Sequence, residues 1–217
     1  ITTMFRQLGG YASRILGGAK PADLPVEQVT VVPAITAKNR AYVSDIAINH
    51  IGDGKLHVID TDNGNYLGVI GSGFAGQVTY SPDRSEIILA TGYLTRGQRG
   101  QRTDIVEVWD ANTLAFKYEI EIPTKRAMAL NYRNTIRTSA DGRWVFVQNS
   151  TPGSSVTVVD LQERRMAAEI PTPGCWGIYP PASRSDRFST LCGDGSIATI
   201  TLDDSGDPAH RSSTDSV

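Results

Sequence analysis

Val106-Glu-Val-Trp-Asp110 is a short run of β-forming side chains closed by an aspartate, and it recurs. Leu56-His-Val-Ile-Asp60 ends fifty residues before it and Val156-Thr-Val-Val-Asp160 ends fifty residues after it. A polar turn follows each copy (61–65, 111–114 and 161–165), and then a second extended run, Tyr66–Ile70, Phe116–Pro123 and Arg165–Pro171. Aspartate suits the junction because its carboxylate can accept backbone N–H groups two residues further on. A second repeated element stands upstream. Ser81–Thr91 and Ser139–Asn149 both read as a tight turn feeding a strand, with a looser copy at Thr36–Asp45 and a diverged one at Ser183–Ser196. No amphipathic helical stretch interrupts the strands between Asn39 and Leu202. A period near fifty built from four short strands predicts an all-β chain made of β-propeller blades. A β-sandwich would need three in-phase copies with matching turn residues to arise by coincidence.

The chain of 217 residues holds about three and a half such units. A propeller has to close, so the count predicts either the front part of a longer polypeptide, the favoured reading, or an arc completed by another chain. The expected organisation is an N-terminal arm over residues 1–30, blades over 31–205 and a polar tail over 206–217. Because the segment Asp203–Val217 is polar, turn-rich and free of aromatic residues, no further strand is expected in it.

Composition narrows the function classes. With 21 basic and 23 acidic residues the net charge is −2, and no global field draws the chain to nucleic acid or an anionic membrane. No apolar run reaches the ~18 residues of a membrane span. His50, His57 and His210 form no ligand-like cluster, and the two cysteines lie outside any C-x-x-C pattern, so no metal site is expected. From the residues alone Cys175 and Cys192 fit either two buried thiols or one disulfide formed in an oxidising compartment.

Gly71-Ser-Gly-Phe-Ala-Gly76 is a literal G-x-G-x-x-G, the pattern of a dinucleotide site. That reading requires the motif to open a helix, whose N-terminus holds the pyrophosphate. Here a Ser81-Pro82-Asp83 turn and another strand follow, so no cofactor is expected and the glycines belong to a connection between blades. Phe74 within it, on a flexible and exposed loop, is either a local plug or a lining residue for a ligand or partner. The loop Leu94–Arg102, with three arginines, reads as a solvated loop or as a contact for an acidic partner surface.

Gly100–Pro123, Asn131–Pro152 and Gly174–Leu202 together resemble the heavy subunit of the tryptophan tryptophylquinone amine dehydrogenases. Gly174-Cys-Trp176, Leu191-Cys-Gly-Asp-Gly195 and the arginine-rich loop before Thr103 look nearer to aromatic amine dehydrogenase than to methylamine dehydrogenase. The likeness runs from about Asn39 to Leu202 and covers the front portion of that subunit. It implies a seven-bladed propeller in a periplasmic heterotetramer of two heavy and two light subunits. A primary amine is deaminated on a quinone carried by the light subunit, and electrons pass to an azurin- or amicyanin-like copper protein. No catalytic residue is then expected in this chain, and Trp109, Trp144 and Trp176 read as structural. By the same resemblance Cys175 and Cys192 pair in a disulfide, and Phe74 borders the substrate channel. Two other functions fit a propeller: a stand-alone protein-binding module, and a lactonase-like hydrolase. The hydrolase needs carboxylates and histidine converging on the central channel, which the three histidines are poorly placed to supply.

Overall fold

A computed structural model describes residues 16–18, 32–128 and 132–215. The chain divides into two units, Ile1–Pro33 and Ala34–Val217, and the account below concerns the second. The N-terminal arm expected over residues 1–30 lies outside the described residues, apart from 16–18.

Among the described residues fifteen strands form four antiparallel meanders, taken strictly in chain order. The first sheet has three strands, β1 (Arg40–Asp45), β2 (Gly54–Asp60) and β3 (Tyr66–Gly73). The second has four, β4 (Gln77–Tyr80), β5 (Glu86–Leu94), β6 (Arg102–Asp110) and β7 (Phe116–Ile122). The third comprises β8 (Ile136–Thr138), β9 (Trp144–Asn149), β10 (Ser155–Asp160) and β11 (Arg165–Pro171). The fourth comprises β12 (Cys175–Tyr179), β13 (Arg187–Cys192), β14 (Ile197–Leu202) and β15 (Pro208–Ser213). Sequential four-stranded meanders packed face to face are propeller blades, three complete and one of three strands.

The repeated turns have one chemistry. Asp60, Asp110 and Asp160 end β2, β6 and β10, and each carboxylate accepts the backbone N–H two residues on, at 2.9 Å in all three cases. In the turn before β5, Ser81 Oγ donates to Asp83 (2.6 Å) and accepts the Glu86 N–H (2.9 Å). Before β9, Ser139 Oγ repeats both bonds, to Asp141 at 2.6 Å and from the Trp144 N–H at 3.0 Å. Hydrogen bonds from Ser81 and Ser85 hold the Asp83 carboxyl down at about 2. Such a carboxylate favours the folded state fully above its unfolded value near 4, and that contribution disappears as pH falls toward 2. We therefore expect the urea denaturation midpoint to fall as pH drops from 4 toward 2. In Asp83→Asn that fall should become less steep, and identical acid titrations of the two proteins would contradict this role.

Between the blades lie three apolar cores. Leu56 and Ile70 of the first sheet pack with Ile87 and Leu89 of the second. Val106, Val108 and Ile120 pack with Ile136, Val145 and Val159. Phe146, Val156 and Val158 pack with Ile178, Phe188 and Ile200. Thus β10 sends Val159 to one side and Val156 and Val158 to the other, the period-2 geometry of a strand covered on both faces.

The tail departs from expectation. Pro208–Ser213 is β15, the outermost strand of the fourth blade, paired antiparallel with β14 from Ala198↔Ser213 to Leu202↔Pro208. Every residue of it is exposed, so neither face calls for apolar side chains and the periodicity that betrays other strands is missing. The signal that was present is Asp203, whose carboxylate accepts the Ser205 N–H (2.9 Å) and the Asp207 N–H (3.0 Å) as a fourth copy of the strand-ending aspartate.

Candidate substrate-channel wall at the Phe74 turn

β3 runs to Gly73 and β4 starts at Gln77, so the glycine-rich motif is a tight strand-to-strand turn with no helix behind it. Its glycines answer steric needs. Gly73 holds φ 56°, and a Cβ there would meet Thr91 Oγ1 at 2.5 Å and the Gly92 carbonyl at 2.9 Å. At Gly76 a Cβ would stand 2.3 Å from the Ser72 carbonyl oxygen. Ala75 is also left-handed, at φ 47°, a conformation that costs a residue with a side chain on the order of 1 kcal/mol.

The turn is neither loose nor fully exposed, contrary to the sequence expectation. Phe74 is half-buried and Ala75 buried. The Phe74 N–H donates to the Gly92 carbonyl (2.9 Å) and the Ala75 N–H to the Ile51 carbonyl (3.1 Å). Thr91 Oγ1 donates to the Ser72 carbonyl at 2.5 Å, and Gln77 Nε2 reaches the Ala127 carbonyl at 2.8 Å.

The dominant anchor is Arg126, in the connection between β7 and β8. Its side chain is wholly buried, and Nη1 donates to the Ala75 carbonyl (2.9 Å) while Nη2 donates to the Phe74 carbonyl (2.7 Å). Burial pushes the guanidinium down to about 10, with the Asp104 charge opposing that shift and Arg102 adding to it, so Arg126 is cationic at neutral pH. Asp104 is itself buried and is held by Arg102 Nε at 2.6 Å. Nearby, Glu107 is buried and its carboxyl is raised by that burial, against hydrogen bonds from the Tyr93 hydroxyl (2.8 Å) and Trp109 Nε1 (3.0 Å).

Gly52 stands between Phe74 and the arginine-rich loop. A Cβ placed on Gly52, in the 3-10 segment Ile48–Asp53 between β1 and β2, would lie 3.8 Å from Phe74 Cδ2 and 3.5 Å from Gln98 Cγ. Gln98 belongs to the arginine-rich loop between β5 and β6, so that loop and Phe74 both lie against Gly52, a neighbourhood the sequence did not show. The loop is self-bonded, Thr95 N–H to the Gln101 carbonyl at 3.0 Å and Arg96 N–H to the Arg99 carbonyl at 2.9 Å.

Elsewhere, Cys175 and Cys192 face each other as register partners on β12 and β13 and are joined by a disulfide, S–S 1.99 Å. Of the tryptophans, Trp144 lies in a blade core under the Arg143 guanidinium, 4.2 Å from its ring, and Trp109 packs edge-on to Phe116 at 5.4 Å. His57 meets the Tyr66 hydroxyl at 3.0 Å and His210 sits on the exposed β15. Among the described residues no helix is long and apolar enough to cross a membrane.

Meander blades stacked through apolar faces define a β-propeller protein. The solved structure of the Dos1 propeller superposes with a TM-score of 0.56 at 14% identity, over 82% of this chain and 43% of that one, which speaks for the fold alone. Residues 37–216 match the family model of the methylamine dehydrogenase heavy chain, and the chain belongs to that family. The methylamine dehydrogenase heavy chain of Paracoccus versutus is 30% identical over 199 residues, 91% of this chain and 45% of the relative. That of Methylobacillus flagellatus is 28% identical over 190 residues, 87% of this chain and 47% of the relative. The chain thus spans about half the length of the curated relatives it matches. The matched region extends past Leu202 and takes in β15.

Proposed function

We propose that this chain forms part of the non-catalytic heavy subunit of a periplasmic amine dehydrogenase acting on primary amines, aromatic ones among them. Family membership over residues 37–216 carries the reading. The tryptophan tryptophylquinone belongs to the partner light subunit, where it supplies the electrophilic carbonyl and takes up the electrons of the amine. A second heavy subunit completes the heterotetramer, and an azurin- or amicyanin-like copper protein receives the electrons. The work of this chain is to seat the light subunit and to furnish one wall of the substrate channel. Phe74 suits that wall because it is half-buried on a turn whose carbonyls are fixed by Arg126. An apolar wall held in one place selects among amines by the apolar surface it can cover.

The test is kinetic and uses the heavy–light complex. The complex should be isolated with a visible quinone chromophore, and a colourless heavy chain purifying without a light subunit would sink the reading. In that complex Phe74→Ala should raise KM for an aromatic amine about tenfold, with a smaller change for methylamine and little change in melting temperature. Unchanged kinetics toward both amines would remove Phe74 from the channel.

A further inference from the structure

Two of the glycines around Phe74 are required by their surroundings, and Gly52 is not. At Gly73 and Gly76 a Cβ would stand 2.5 Å and 2.3 Å from its nearest neighbour, so a side chain would displace what surrounds it. Gly52 lies inside the 3-10 segment Ile48–Asp53, a conformation open to any residue. A Cβ there would stand 3.5 Å from Gln98 Cγ and 3.8 Å from Phe74 Cδ2, ordinary contacts on both sides. The glycine therefore keeps a methyl-sized gap open between the Phe74 ring and the stem of Gln98. Both walls of that gap belong to the first two blades.

The gap matters because the backbone around it is held. The Phe74 N–H donates to the Gly92 carbonyl and the Phe74 carbonyl accepts from Arg126 Nη2. The Ala75 N–H donates to the Ile51 carbonyl at 3.1 Å, which ties the turn to the segment that carries Gly52. Opposite, the Thr95–Gln101 and Arg96–Arg99 backbone bonds hold the loop that carries Gln98. The half-buried Phe74 ring keeps one freedom, rotation about its side-chain torsions, and its Cδ2 edge faces Gly52.

We propose that Gly52 is a positioning residue for amine selectivity, the space it leaves allowing the Phe74 ring to turn aside for a bulky amine. This rests on the reading of Phe74 as a wall of the substrate channel. Methylamine is too small to press on the ring, whereas an arylalkylamine displaces it. The gap thus extends the substrate range toward larger amines, and a side chain in it would fix the ring and narrow the channel against them.

The test uses the heavy–light complex. Gly52→Ala should raise KM for phenethylamine about tenfold, the effect of one misplaced methylene in an apolar pocket. KM for methylamine, and kcat for both amines, should stay near the parent values. The melting temperature should not fall, because alanine suits the 3-10 backbone. Gln98→Ala clears the gap from its other side and should lower KM for phenethylamine. Gln98 is exposed, so this variant carries the test should Gly52→Ala fail to assemble. In a Phe74→Ala background both effects should vanish, since both act through the ring. Effects that persist there, or KM values for the two amines that move together or not at all, would overturn the proposal. Those outcomes beside altered kinetics in Phe74→Ala leave the channel wall standing, whereas parent-like kinetics in Phe74→Ala remove both.

Discussion

Arg126→Met is expected to lower stability by about 3 kcal/mol and to loosen the Phe74 turn. The substitution keeps an apolar stem of similar length but removes both donors to the Phe74 and Ala75 carbonyls. Two hydrogen bonds from a charged group contribute about 1.5–3 kcal/mol each, and a carbonyl left buried without a donor adds to the loss. Against this stands the relief of no longer burying a cation, which holds the net effect near the lower end. Arg126→Lys separates charge from geometry, because one ammonium cannot reproduce the fork that reaches two successive carbonyls. Urea denaturation of both variants measures the stability term. In the heavy–light complex the same variants should raise KM for the aromatic amine as Phe74→Ala does, although Arg126 is expected to touch no substrate. Stability lost with KM unchanged would make Arg126 a structural residue only, and parent-like stability in Arg126→Met would remove even that.

Phe146→Ala is expected to cost about 3–5 kcal/mol, the range for deleting a buried aromatic side chain. Phe146 is wholly buried in the core between the third and fourth blades, its ring 4.9 Å from that of Phe188. The cavity left behind is framed by strands of two blades, so neither can close it without shifting its whole sheet. Leu191→Ala is the control, since Leu191 is 48% exposed on β13 and its loss should fall within about 0.5 kcal/mol. Equal denaturation midpoints for the two variants would mean that the interface between these blades does not hold the fold.

The blades were legible because their punctuation is chemical as well as hydrophobic. Asp60, Asp110 and Asp160 fulfil the turn bonding that their position suggested, and the strands buried on both faces, β9 and β10, read as apolar runs. β15 escaped because an exposed outer strand has no buried face to write a pattern, although Asp203 repeated the turn signal. At the site, the sequence brought out Phe74 but described its turn as loose. What fixes the turn lies one repeat further along the chain. Arg126 stands in the connection between β7 and β8, and only the stacking of one blade on the next carries its guanidinium under residues 74 and 75.

The three separate apolar cores have a consequence for how the molecule comes apart. Each blade pairs strands that are neighbours in sequence and then touches only the blade before and the blade after, so the architecture is quasi-one-dimensional. Its free energy is approximately a sum of blade terms and nearest-neighbour coupling terms. A substitution in one core should then alter hydrogen exchange in the two blades that share that core and leave the blade beyond them nearly unchanged.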